Sequence, residues 1–216
     1  MWIKICGVCD PQSAQYVAEV GADAIGLNFV GRSKRFVTVE QALSIANSVR
    51  GAVELVGVVE DLSLQQAAEL QERVGLDRVQ LHYSQLSFTN SQLPAWAYLA
   101  IGLTARDDVR PLDDRLGEMI LVDACFDGNS GGTGARFDWN WVVDVASRRR
   151  IVLAGGLTPN NVQDAIALVG PYGVDVASGV EFPGKPGSKD PKLVRQFVRC
   201  ARQAAAALRS SSTSQP

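Results

Sequence analysis

Apolar residues in this chain gather into short, nearly continuous runs. Each is followed by a polar or glycine-bearing stretch and then, in most cases, by an amphipathic one. The runs are IKICGV (3–8), AIGLNFV (24–30), ELVGVV (54–59), RVQLHY (78–83), WAYLAIGL (96–103), MILVDACF (119–126), IVLAGGL (151–157) and VDVASGV (174–180). Continuous rather than alternating apolarity is the pattern of parallel strands covered on both faces. Helical spacing separates many of the runs. Residues 11–20 set Ala14, Val17 and Ala18 on one face. Thr38 is the expected N-cap of VEQALSIANSVR, and Ser63 that of LQQAAELQERVG, with Gly75 as its stop. Asn160-Asn161 opens VQDAIALVG, and a last helix is expected from Pro191 to Leu208. SQLSFTNSQLPA and RDDVRPLDDRLG, after the fourth and fifth runs, offer at best short or broken helices.

Eight strand–helix units predict an α/β fold, a single-domain (β/α)8 barrel over residues 1–209, although 216 residues is near the compact end for that architecture. A doubly wound open sheet is the rival. It would use fewer strands at this length, and the Gly-x-Gly-x-x-Gly fingerprint after the first strand is missing. The tail SSSTSQP, 210–216, is polar and is expected to be disordered.

Composition narrows the function classes. The formal charge of −2 predicts no broad basic surface and no nucleic-acid partner. The run Arg148-Arg149-Arg150 is isolated and falls at a helix end, where cations suit the helix dipole. No signal peptide opens the chain and no apolar run approaches the ~20 residues of a membrane span. Cys6 and Cys9 make a C-x-x-C spacing, but Cys125 and Cys200 form no second pair and there is one histidine, so a zinc site is not expected. The expectation is a reduced, cytoplasmic, soluble protein.

In a barrel of this kind the chemistry lies at the C-terminal ends of the strands. LAGGLTPNNV ends the seventh run with Gly155 and Gly156, and ASGVEFPGKPGSKDP ends the eighth with Ser178 and Gly179. Successive backbone N–H groups with a helix behind them make a phosphate cradle, although such glycines also serve plain tight turns. Asp123 lies inside an apolar run, where it either accepts structural hydrogen bonds or acts as a desolvated general acid. Arg35 sits beside Arg32 and Lys34, a cluster fit for an anion or for solvent. Gln80 and His82, two apart, share one face of the fourth strand. Cys6, at the end of the first strand, is either packing or a base needing a modest downward shift in pKa. FDGNSGGTGARFDW, after the sixth strand, is glycine-rich enough to serve as a lid.

Taken together, IKICGV, GADAIGLNFV, SKRFVT, VGVVED, VQLH, LVDA, GGTGARFDW, LAGGLTPNNV and YGVDVASGVEFPGKPGSKDP resemble the phosphoribosylanthranilate isomerase family, from the first strand to the last helix. The resemblance implies an Amadori rearrangement of N-(5'-phosphoribosyl)anthranilate in tryptophan biosynthesis. It implies no metal or organic cofactor, and a small phosphoribosyl molecule as partner of a monomer or homodimer. It implies Cys6 as general base, Asp123 as general acid and Arg35 as the clamp on the anthranilate carboxylate. Gln80, His82 and Asp175 would line the ligand site, with Gly155, Gly156, Ser178 and Gly179 on the phosphate. The chain departs from the family pattern after His82, where Tyr83-Ser84-Gln85 replaces a glycine and an acidic residue. It departs again at LAIGLT, which lacks the usual polar residue, and at Cys9, which replaces a threonine. Two other functions compete. A related aldose–ketose isomerase of the histidine pathway would want a carboxylate at position 6. A non-catalytic phosphate-binding barrel would need neither Cys6 nor Asp123.

Overall fold

The structure, a computed structural model, describes residues 1–82, 93–106, 117–123 and 137–212. Eight parallel strands close into a barrel in chain order: β1 (Trp2–Cys6), β2 (Ala24–Asn28), β3 (Glu54–Glu60), β4 (Arg78–His82), β5 (Ala97–Gly102), β6 (Met119–Asp123), β7 (Arg150–Leu153) and β8 (Gly173–Val176). Lys4 pairs with Asp175 of β8 and Cys6 with Gly26 of β2, so β1 completes the ring. The described helices are α1 (Pro11–Glu19), α2 (Val39–Val49), α3 (Leu64–Val74), α4 (Val143–Ala146), α5 (Val162–Val169) and α6 (Pro191–Ser212). This is the barrel that the eight apolar runs predict.

Strand alternation explains why those runs are continuous. Ile3, Ile5, Ile25 and Leu27 point outward and pack with the helical residues Ala14, Val17, Ala42 and Ile45. Trp2, Ala24, Val56, Tyr98, Leu121 and Val152 form a second cluster inside the barrel. Both faces of each strand are therefore buried, and both must be mainly apolar. The runs overshoot the strands at their C-terminal ends. Val8, Leu157 and Val180 are buried just past β1, β7 and β8, so apolarity there reports burial without sheet pairing.

Local signals work as elementary capping rules require. Thr38 and Ser63 each form a reciprocal capping box, with Gln41 and Gln66, and Gly75 ends α3 in the left-handed region at φ 74°. Asn161 precedes α5 but makes no side-chain cap; its amide instead accepts from Thr158 N (2.8 Å) and donates to Gly156 O (2.9 Å), bracing the turn after β7. Residues 210–212, read from sequence as the start of a polar tail, continue α6. The preceding Ala204-Ala205-Ala206-Ala207-Leu208-Arg209 has high helix propensity, and the Ser210 hydroxyl donates to Ala206 O. Residues 213–216 lie outside the described ones.

At the N-terminal end of the barrel, Trp2 Nε1 and Arg78 Nε both donate to Glu54 Oε2 at 3.3 Å. Arg148 bonds Asp144, Arg149 the Gly117 carbonyl and Arg150 Glu118, so the triple-arginine run is engaged in intramolecular contacts. Among the described residues, no helix is long and apolar enough to cross a membrane.

Candidate active site

The polar residues that the sequence singles out converge on the opposite, C-terminal end. Cys6 is the last residue of β1 and Asp123 the last of β6. Alternation from Lys4 to Cys6, from Gln80 to His82 and from Leu121 to Asp123 turns all of these side chains inward. In the ring, β7 and β8 lie between β6 and β1. The glycine-bearing ends of β7 and β8 therefore stand between the strand carrying Asp123 and the strand carrying Cys6.

Beneath Cys6 is a buried polar network. Lys4 is fully buried, and its Nζ donates to Gln80 Oε1 and Asp175 Oδ1, both at 3.0 Å. The Tyr98 hydroxyl donates to the same Gln80 oxygen at 3.0 Å. With its oxygen committed to two donors, Gln80 turns its amide nitrogen to His82 Nε2 at 2.7 Å. That imidazole nitrogen must accept, which puts the ring proton on Nδ1 and leaves His82 neutral. Burial first, then the charges of Lys4 and Arg32, push the His82 pKa down to about 3, in agreement with that tautomer. Burial alone would also lower the Lys4 pKa. The Asp175 carboxylate, with smaller contributions from Cys6 and Tyr98, turns the net shift upward and keeps Lys4 charged. Burial pushes the Cys6 thiol up, against the pull of Lys4.

A second network joins the loops after β2 and β8. The Arg35 fork meets Glu181 through Nε and Nη2, each at 2.8 Å, and its stem lies so close to Gly7 that a Cβ there would be 2.3 Å from Arg35 Cδ. Glu181 Oε1 also accepts from Lys189 Nζ (2.8 Å) and Gly187 N (2.9 Å). Burial would raise the Glu181 pKa, but Arg35 and Lys189 outweigh it and hold the carboxyl below its usual range. Two of the five guanidinium N–H groups serve Glu181, and the side chain keeps 12% of its surface exposed, so the fork retains donors for a further anion. Cys9 Sγ sits 3.6 Å from Gly7 O and from Arg35 O, linking the loop after β1 to the loop after β2; it and Cys6 are free thiols.

Gly155 and Gly156 both take left-handed backbone, at φ 83° and 64°, where β7 turns into its loop. Ser178–Val180 forms one 3-10 turn after β8. The two loops touch at Gly179, where an added Cβ would lie 1.9 Å from Leu157 O. The loop carrying Gly155 and Gly156 and the turn carrying Ser178 and Gly179 are thus in backbone contact.

Every predicted site residue lies among the described ones and at this end of the barrel. Sequence reasoning missed Lys4, Tyr98, Glu181 and Lys189; the first three bond a residue it did find, and Lys189 bonds Glu181. Lys4 carried a signal: a lysine two before Cys6, inside an otherwise apolar strand. Tyr83, Cys125, the rebuilt fourth loop, the segment after β5 and the GGTG loop lie outside the described residues.

A family model described as N-(5'phosphoribosyl)anthranilate (PRA) isomerase matches residues 3–200. The chain belongs to the phosphoribosylanthranilate isomerase family. It is 38% identical to the N-(5'-phosphoribosyl)anthranilate isomerase of Geobacter sp. (strain M21) over 93% of this chain and 98% of that one. Identity to the protein of the same name from Roseiflexus castenholzii is 39%, covering 95% and 100%. The solved phosphoribosyl anthranilate isomerase of Thermotoga maritima superposes with a TM-score of 0.80 at 31% identity, covering 94% and 99% of the two chains. A solved phosphoribosyl anthranilate isomerase in complex with reduced 1-(o-carboxyphenylamino)-1-deoxyribulose 5-phosphate gives a TM-score of 0.77 at 30% identity, covering 94% and 99%. The chain is therefore an isomerase of tryptophan biosynthesis, acting on N-(5'-phosphoribosyl)anthranilate.

Proposed function

We propose that Cys6 and Asp123 are the base and acid of this isomerisation. The observation that carries the assignment is the ring order: the glycine loops of β7 and β8 stand between β6 and β1. A sugar phosphate anchored there has Asp123 on one side and Cys6 on the other. Asp123 donates a proton to the furanose ring oxygen, the C1–O bond breaks, and the ring opens to a Schiff base. The Cys6 thiolate removes the proton on C2, and the C–H electrons neutralise the iminium. The resulting enolamine tautomerises to the 1-deoxyribulose ketone, so substrate and product have the same atoms. One acid and one base suffice.

Arg35 binds the anthranilate carboxylate through the donors that Glu181 leaves, which suits a planar fork. Gln80, His82 and Asp175 line the ligand site, with the neutral His82 ring suited to contact without adding charge. The N–H groups of Gly155, Gly156, Ser178 and Gly179 hold the phosphate. The chain acts as a monomer or homodimer, since both forms are described for the Thermotoga maritima protein. Free thiols at Cys6, Cys9 and Cys200 suit a reducing cytoplasm.

The test follows the fading fluorescence of freshly generated phosphoribosylanthranilate. Cys6→Ala and Asp123→Asn should each lower kcat by roughly 100-fold to 10,000-fold, the range of general acid–base contributions. Binding of a reduced product analogue should survive in both. Wild-type turnover with either variant would remove that residue from the mechanism.

A further inference from the structure

We propose that Lys4 is a positioning residue for this reaction: pinned by Asp175 and Gln80 beneath Cys6, its ammonium favours the charged, proton-accepting form of the Cys6 thiol. The inference rests on the reading of Cys6 as base.

Three observations carry it. Lys4 and Cys6 are successive inward residues of β1, so the ammonium stem rises directly beside the thiol. Gly26, paired with Cys6 across β2, leaves the space in which the two meet. A Cβ built on Gly26 would lie 2.8 Å from Cys6 Sγ and 3.1 Å from Lys4 Cε. Finally, the ammonium is held from two sides by partners far away in the chain, Gln80 and Asp175. Burying a lysine–aspartate pair is weak evidence for stability, because an apolar filling of equal volume often does as well. The inner cluster is otherwise filled by Val56, Leu121 and Val152, so an apolar residue at position 4 would match its surroundings.

Several other groups act on the thiol. Asp175 of β8 opposes ionisation, while Lys189 and Arg35, from the loops after β8 and β2, favour it. Tyr98 of β5 interacts with the thiol from across the barrel, and Asp123 stands at the same end on β6. Lys4 is the largest of the opposing influences to burial. Its ammonium is also kept charged by Asp175, so its effect persists across the working pH range.

The experiment measures the midpoint of Cys6 alkylation by iodoacetamide against pH, resolved by peptide mass spectrometry, together with the pH profile of kcat/KM. Lys4→Met should raise the Cys6 midpoint, and the acid limb of kcat/KM, by on the order of one pH unit. Lys4→Arg, which keeps the cation, should hold the midpoint closer to that of wild type than Lys4→Met does, which general loosening of the barrel would not produce. Should Lys4→Met alone fail to fold, the charge-balanced Lys4→Met/Asp175→Asn chain decides: its midpoint should lie above that of wild type, because Lys4 acts on the thiol more strongly than Asp175. An unchanged midpoint on removing Lys4, or a Lys4→Arg midpoint raised as far as that of Lys4→Met, overturns the proposal. Full turnover by Cys6→Ala would instead sink the base assignment, whatever the alkylation midpoints show.

Discussion

Alanine at position 179 is a small change with a large expected consequence. The added Cβ would sit 1.9 Å from Leu157 O, 3.0 Å from Leu157 C and 3.2 Å from Thr158 Cα. All three are backbone atoms, so no flexible side chain can swing aside. To reach an ordinary contact of 3.4 Å, the loops after β7 and β8 must part by roughly 1.5 Å at that point. Overpacking of this kind costs about 1–3 kcal/mol. A displacement of about 1 Å in a positioning element can lower kcat/KM by about 100-fold. Since a phosphate cradle binds ground state and transition state alike, most of the loss should appear in KM. The assay is steady-state fluorescence kinetics beside a urea denaturation curve. Gly31→Ala is the control, because its Cβ would meet nothing within 4 Å. Gly179→Ala with wild-type stability would refute the close approach of the loops. Lowered stability with an unchanged KM would refute the phosphate role and leave only packing.

Two further outcomes are expected. His82 is held neutral with a pKa of about 3, whereas in the unfolded chain it protonates near 6.5. The unfolded state therefore gains a proton first as pH falls. Stability present above pH 6.5 should be lost progressively toward pH 3, by about 2 kcal/mol at pH 5 from this group. Denaturation curves at pH 8 and pH 5 should differ less in His82→Asn than in wild type; an equal difference removes His82 as the cause. Glu181→Gln leaves Arg35 and Lys189 facing one another without their anion, so a stability loss of about 3 kcal/mol and a raised KM should follow. Adding Lys189→Met should recover part of the stability, measured by the same denaturation, and no recovery would count against the pairing.

The sequence reveals most readily what depends on neighbours along the chain. Thr38 and Ser63 announce their helices because each cap is settled within three residues. The eight strands are legible because two buried faces make apolar runs, and their inflated ends reflect buried loop residues such as Val8 and Leu157. Cys6 and Asp123 are visible because each is out of place in such a run. Lys4 breaks its run just as plainly, yet its partners Gln80 and Asp175 stand 76 and 171 residues away. Only the barrel register that sets Lys4 opposite Asp175 makes the pair, and no local pattern contains that register. Glu181 and Lys189 are near in sequence, but a solvated loop would carry the same residues. Their meaning comes from Arg35, 146 residues earlier.

The two networks make one electrostatic design. Around Cys6, three cations, Lys4, Arg35 and Lys189, stand against two carboxylates, Asp175 and Glu181. His82, which a proton would make a fourth cation, is locked neutral by the same Gln80 that Lys4 orients. The balance among these five groups is one positive charge. On the proposed reading, an anionic substrate at this end of the barrel meets net attraction, and the same cations oppose the burial that disfavours a thiolate at Cys6. More cations would bind the substrate more tightly without selectively helping proton transfer; fewer would leave the thiol to its burial, which pushes it toward the uncharged form. Lys4 and Lys189 are therefore not interchangeable with surface lysines of the same charge: each is nearly fully buried, and each is held beside the carboxylate that fixes its position.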